Sequence, residues 1–391
     1  MNLSTSQMES LAMHQPAPAD DFSGWLMYHS VGVYPGHREA MTAALAGFAA
    51  SWCAPDDSRW DAALAARAHL LSDWAELIGA QPANVFGAQN VTDTFARYLD
   101  GLADEALRGR TVLVAADCFP SLHFLLSGLA KPRGFTLRTV ALREGQAYVR
   151  DEDFLEAWTD DVALALVTWV SSLTSKRANL AAICEHARRR GSRVALDVTQ
   201  GIGILPFDVN ATPFDFVCGS TLKWLCGAPG TGLGYIAPQA LAQEATPAVR
   251  GWFSQQNPFN WDIDAFAYAP DARRFDTGTP SVLPFVASQP GMTWMRSQPA
   301  GSVREHNLAL CHQLIAMLGE KSYRLLSPRN DDERGGSIMA EVPAHLDAAQ
   351  LVVQLKEAGV FVDSRSRTLR FSPGVCTTPA GLERLAQCLP R

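Results

Sequence analysis

Long apolar runs are missing from this 391-residue chain. Every hydrophobic stretch is broken by charge, Gly or Pro, so none reaches the ~20 residues a membrane-crossing helix needs. No block of Lys or Arg offers a nucleic-acid surface, and the formal net charge of −7 points the same way. The eight cysteines (Cys53, Cys118, Cys184, Cys218, Cys226, Cys311, Cys376 and Cys388) are scattered, with no CxxC pair and no histidine cluster beside them. That spacing argues against both a structural zinc site and a disulfide framework. Residues 1–21 are polar and rich in Ala, Pro and Ser. They have neither the positive start nor the apolar core of a secretory signal, and a cytoplasmic location is expected. No internal repeat is found.

What remains is an ordinary globular balance, 47% hydrophobic and 19% charged, in a chain long enough for two domains. From about residue 40 helical and strand-like patterns alternate. Helical spacing covers 40–52, 60–78, 90–102 and 121–129; strand patterns cover 84–86, 111–115, 135–141, 162–168, 194–197, 216–219 and 232–237. This alternation predicts an α/β fold, a mostly parallel sheet with helices on both faces. Near residue 285 the character changes to helices at 302–318, 347–358 and 379–389 with short strands at 337–342, 360–362 and 370–372. The expected organisation is an N-terminal segment (1–40), a large α/β domain (41–285) and a smaller C-terminal α+β domain (286–391), with a linker at about 282–298.

Two strand ends carry the chemistry. The run Arg193-Val194-Ala195-Leu196-Asp197 ends in a carboxylate; Phe216-Val217-Cys218-Gly219-Ser220-Thr221-Leu222-Lys223 ends in an amine 26 residues later, between apolar Leu222 and Trp224. An acid and an amine at neighbouring strand mouths suit pyridoxal phosphate: the lysine forms a Schiff base and the acid keeps the pyridine nitrogen protonated, so that the ring absorbs electrons. Ligands of open α/β sheets sit beyond the carboxyl ends of strands. Loops at such ends carry Asn90 and Val91, where a helix N-terminus suits a phosphate or Asn90 is simply a cap. They also carry Phe119, an aromatic able to stack on a planar ring, Gln200, a donor three residues past the acid, and Ser220, a phosphate contact three before the lysine. The glycine-rich stretch Gly227-Ala228-Pro229-Gly230-Thr231-Gly232-Leu233-Gly234 leads into a strand rather than a helix, which excludes a dinucleotide fingerprint.

The Asp-x-x-Gln element, the lysine after a Ser-containing strand, and Arg274-Phe275-Asp276-Thr277-Gly278-Thr279-Pro280 resemble the class V aminotransferase group of fold type I pyridoxal-phosphate enzymes. Phe119-Pro120-Ser121, Gly251-Trp252-Phe253, and Asp363-x-Arg365 followed by Arg370-Phe371-Ser372-Pro373 are similar in order and spacing to its kynureninase branch. The likeness runs from Tyr28-His29-Ser30-Val31-Gly32 to the C-terminus. It implies Lys223 as the Schiff-base lysine, Asp197 on the pyridine nitrogen, Phe119 stacked on the ring and Gln200 at its face or phenolic oxygen. Asn90, Val91 and Ser220 would lie around the phosphate. Trp252 and Thr279 would reach the phosphate of a neighbouring subunit, making a homodimer. Arg370 would grip the substrate α-carboxylate, and Ser30, with His29, Tyr34, Phe253 and Trp261, would supply the pocket wall. Kynureninases usually have Tyr at the position of Leu222, His at that of Gln200 and Asn at that of Thr279. The reaction implied is Cβ–Cγ cleavage of an amino acid such as kynurenine to anthranilate and alanine, with amino transfer to a 2-oxo acid as the alternative. Sulfur removal is disfavoured because residues 360–370 contain no cysteine.

Overall fold

A computed structural model describes residues 21–243 and 246–391; the first twenty residues lie outside it. The strand-like patterns form a seven-stranded sheet. Its strands are β1 (Val85–Ala88), β2 (Thr111–Ala115), β3 (Thr136–Val140), β4 (Val162–Thr168), β5 (Arg193–Asp197), β6 (Phe216–Ser220) and β7 (Gly232–Ile236). They lie in the order β1-β7-β6-β5-β4-β2-β3. β2 to β6 pair in parallel, and β7 is antiparallel to both its neighbours, β6 and β1. β1 therefore runs with the parallel strands, and its carboxyl end joins theirs on one rim.

Both faces of this sheet are buried. Along β2, Val112 and Val114 pack into one apolar cluster and Leu113 into the other. That two-period split is what a pleated strand covered on both faces requires. The stretch expected to be a linker is instead the helix Leu283–Ser297. Pro284 is tolerated in its first turn, where its missing N–H would be unpaired anyway. Phe285 and Met292 are buried in the same cluster as Trp74 and Tyr34, which fastens this helix to the large sheet.

A second sheet is wholly antiparallel, in the order β10-β11-β9-β8, from β8 (Arg324–Leu325), β9 (Ile338–Glu341), β10 (Asp363–Arg365) and β11 (Thr368–Phe371). The helices Ser302–Glu320, Ala348–Glu357 and Pro379–Cys388 supply its core through Leu314, Leu351 and Leu385. The strand expected at 360–362 falls at 363–365 instead, where Asp363 is directly opposite Arg370.

The chain from residue 25 to 32 stitches the two sheets together. Trp25 and Met27 make parallel bridges to Phe361 and Ser372, and Leu26 is buried in the small core. Gly32 then donates its N–H to the Leu222 carbonyl at 3.0 Å. A Cβ on Gly32 would fall 1.8 Å from the Lys223 carbonyl oxygen, so only glycine permits this approach. Gly32→Ala should therefore displace the lysine loop and cost roughly 1–3 kcal/mol, as overpacking does. Denaturant unfolding of the variant checks this; wild-type stability would show that the loop yields freely.

Candidate active site

Five strand ends converge on one cavity of about 380 Å³. β1 delivers Asn90 and Val91, β2 delivers Phe119, β4 Thr168, β5 Asp197 and β6 Ser220, with Lys223 just beyond. Gln200, Ser30, His29 and Arg370 complete the wall. Ten of the sequence-selected residues thus share one hollow: His29, Ser30, Asn90, Val91, Phe119, Asp197, Gln200, Ser220, Lys223 and Arg370. Trp252 and Thr279 are not among its lining residues. Trp252 opens a short 3₁₀ turn, meets Phe253 edge-on at 4.5 Å and stacks with Trp261 at 6.4 Å, while Thr279 borders a separate hollow beside the Arg67–Asp276 ion pair. A larger cleft of about 1050 Å³, lined by Trp169, Lys176 and Glu333, contains neither Lys223 nor Asp197.

Lys223 is placed by its apolar neighbour. Trp224 is buried and stacks on Tyr28 at 5.7 Å, which pins the loop while the lysine faces the cavity. The Lys223 ammonium lies 5.5 Å from the centre of the half-exposed Phe119 ring. Burial brings the amine down to about 8; the Asp197 charge opposes the shift and the Arg370 charge reinforces it. Asp197 is 5% exposed. Its Oδ1 accepts from the Thr199 N–H at 2.9 Å and from the Thr199 hydroxyl at 2.5 Å. Burial nevertheless pushes its carboxyl above the usual range, against those two bonds and Lys223.

The Asn90 side chain is a helix cap, accepting from the Asp93 N–H at 2.9 Å. With that side chain used as a cap, the anion-binding capacity of this loop lies in the backbone at the start of the helix Val91–Gly101. Gln200, expected at the ring's face or its phenolic oxygen, lines the cavity, and its Nε2 donates to the His29 carbonyl at 3.0 Å.

Arg370 was expected to offer its fork to a substrate carboxylate. In this structure Asp363 accepts from Nε at 2.7 Å and from one terminal nitrogen, and the Ser172 carbonyl accepts from the other at 3.2 Å. A guanidinium has five N–H bonds, so the cavity-facing edge keeps donors after these three are used. Asp363 also accepts from His29 Nε2 at 3.0 Å, and His29 Nδ1 lies 2.7 Å from the Ser372 hydroxyl. Burial alone would raise the Asp363 carboxyl, but the bonds from His29 and Arg370 hold it well below the ordinary range. Burial brings His29 down to about 4, with Arg370 and Lys223 adding to the shift and Asp363 opposing it.

Reading the sequence did not assign roles to Thr199 or Asp363. Thr199 had a signal: an acid two residues before a hydroxyl-bearing residue commonly closes an Asx turn. Asp363 stood in a family-like segment, but its pairing with Arg370 came only with the β10–β11 register.

Two outcomes follow from these shifts. An aldehyde with cyanoborohydride should label Lys223 in cofactor-free protein with a midpoint near pH 8, against ~10.4 for an ordinary lysine; mass spectrometry across a pH series checks this, and a midpoint above 10 contradicts the burial. For His29 the folded state binds its proton later than the unfolded state does. Its contribution is therefore complete above pH ~6.5 and is lost as pH falls through about 4. Stability of His29→Gln against pH should flatten across that window.

Comparisons with known proteins bear on this geometry. The family model described as "Aminotransferase class-V" matches residues 62–376. A kynureninase of Deinococcus radiodurans is 30% identical over 299 residues, 75% of this chain and 69% of that protein. An isopenicillin N epimerase of Streptomyces clavuligerus is 28% identical over 327 residues, 81% of each. Among solved structures, an apo cysteine desulfurase from Thermococcus onnurineus superposes with a TM-score of 0.80 at 18% identity, covering 93% of this chain and 92% of that one.

Proposed function

Since the chain belongs to the class V aminotransferase family, whose cofactor is pyridoxal phosphate, we propose that it cleaves the Cβ–Cγ bond of an amino acid with an aryl-ketone side chain, of which kynurenine is the example. The observation carrying this reading is the single cavity that joins Lys223, Asp197 and Arg370, in a chain whose relatives include kynureninases.

The residues present fit the cofactor on three counts. A buried acid raised by desolvation lacks a cation in contact, and a protonated ring nitrogen supplies one. An amine lowered to about 8 is available for covalent attachment. The helix at Val91 presents free N–H groups to a phosphate. Once bound, pyridoxal phosphate provides an electron sink for the negative charge that develops at the substrate's α-carbon.

The chain's own groups do the rest. Arg370 holds the α-carboxylate through its remaining N–H edge and so orients the α-C–H bond toward Lys223. Lys223 would hold the cofactor through Nζ and, with that nitrogen free, would take the α-proton there; an amine brought down to about 8 suits both removal and return of that proton. Asp197 would pair with the ring nitrogen and keep it protonated. Phe119, which lines the cavity 5.5 Å from the Lys223 ammonium, would stack on the planar ring. Incubation of the purified protein with L-kynurenine should release anthranilate and alanine, read by anthranilate fluorescence. No anthranilate, with cofactor bound and Lys223 attached, would sink the cleavage reading.

Amino transfer is the second reading. Leu222 favours it, because this residue lines the cavity and brings no hydroxyl where kynureninases usually have tyrosine. Stoichiometric conversion to the amine form of the cofactor, reversed by a 2-oxo acid, would select it.

We also propose a cytoplasmic homodimer; among the described residues no helix is long and apolar enough to cross a membrane. The two sheets support a large unit (41–285) and a smaller one (286–391), with the helix Leu283–Ser297 packed on the former. Val249, Phe259, Trp261 and Ile263 are exposed around Trp252, Ile263 almost completely at 95%. A cluster of this kind marks an interface. Trp252 and Thr279, outside their own chain's cavity, would serve the partner's phosphate. Light scattering should give twice the 42.4 kDa chain mass, and Trp261→Asp should lower both the mass and cofactor retention. A monomer that retains its cofactor would overturn this.

A further inference from the structure

Resting on the reading of Arg370 as the carboxylate receptor, a role remains for the buried imidazole beside it. His29 is 2% exposed and lines the cavity. Its hydrogen bonds determine its tautomer. A carboxylate only accepts, so Nε2 carries the proton and donates to Asp363 Oδ1 at 3.0 Å. Nδ1 then accepts from the Ser372 hydroxyl at 2.7 Å, and the Ser337 hydroxyl, 2.6 Å from Ser372, donates to that oxygen in turn. Ser337 and Ser372 are buried, so this chain has no water to exchange with.

Asp363 is the contested member of the group. Its Oδ1 is shared between Arg370 Nε and His29 Nε2, while exposed Arg365 approaches Oδ2 at 3.5 Å. Two arginines thus compete for one carboxylate, one inside the cavity wall and one at its mouth. The His29 bond holds Asp363 on the inner side. The His29 main chain ties the same point to the cofactor floor, since its carbonyl receives Gln200 Nε2 at 3.0 Å, three residues beyond Asp197.

We infer that His29 is a positioning residue: it fixes Asp363 so that Arg370 presents its free edge to the substrate α-carboxylate, and thereby sets the distance between carboxylate receptor and cofactor. It acts through Asp363, whose carboxylate it bonds, rather than as the receptor itself. Its effect belongs to ligands that carry a carboxylate.

The test uses holoenzyme and a ligand pair, an amino acid and the amine that lacks only its carboxylate. Both are titrated at equilibrium by the absorbance of the bound cofactor. His29→Phe should weaken the amino acid about tenfold or more, the scale of one charge-assisted hydrogen bond, and leave the amine unchanged. His29→Gln, whose Nε2 reaches where imidazole Nε2 does, should recover most of the loss; His29→Asn, with its shorter amide, should not. With the substrate the loss should fall on KM more than on kcat. Equal weakening of acid and amine, or unchanged binding of both, overturns the inference. Should His29→Phe not fold, Ser372→Ala replaces it: a smaller loss confined to the amino acid supports the role, and an equal loss on both ligands overturns it. A wild type without preference for the amino acid removes Arg370 as receptor and His29 with it, whereas failure to cleave kynurenine leaves this comparison intact.

Discussion

The site depends on a carboxylate kept out of water. Asp197 is at the end of a central strand, where its neighbours β4 and β6 exclude solvent on both sides. Desolvation is costly for an ion, and Thr199 compensates on one oxygen only. The acid's remaining demand for a cation gives the cavity its chemical character. Lys223 experiences the same dry surroundings with the opposite sign, and the two shifts converge: the acid moves up and the amine moves down. A solvent-open version of the same residues would lose both effects.

Around this pair the fold places a second, separately built charge group. Arg370, Asp363 and His29 belong to the small sheet and to the strand-like segment laid along it, not to the seven-stranded sheet. The cavity is therefore a junction. One side carries the buried acid–amine pair, and the other carries the Arg370–Asp363–His29 charge group. The Leu222–Gly32 backbone bond and the Gln200–His29 bond are the joints between them. Specificity can change on the recognition side without disturbing the buried pair, which accords with a family that includes kynureninases and an epimerase.

Much of this was legible in the residues. The strand ends at Asp197 and Ser220 were visible because apolar runs stop at polar residues, and a strand end defines a rim position without further information. Asn90 as a cap was visible for the same local reason. What the sequence hid was register. That Asp363 faces Arg370, and that Gln200 turns to a main-chain carbonyl, follow from contacts between residues 7 and 171 positions apart. The stretch 282–298, where a linker was expected from the change of pattern near residue 285, forms the helix Leu283–Ser297, with one proline in its first turn and the buried Phe285 and Met292 holding it in place. The antiparallel sense of β7 was likewise beyond pattern reading, since periodicity carries no direction.

The bridges from Trp25 to Phe361 and from Met27 to Ser372 bear on how the molecule is made. Emerging from the ribosome, the central sheet has all its strands once residue 236 is out. The segment that closes the cavity has by then been waiting for more than a hundred residues for its partner strand to be synthesised. The bridges that close this wall of the cavity therefore form late relative to the central sheet, once the chain as far as Ser372 has been made.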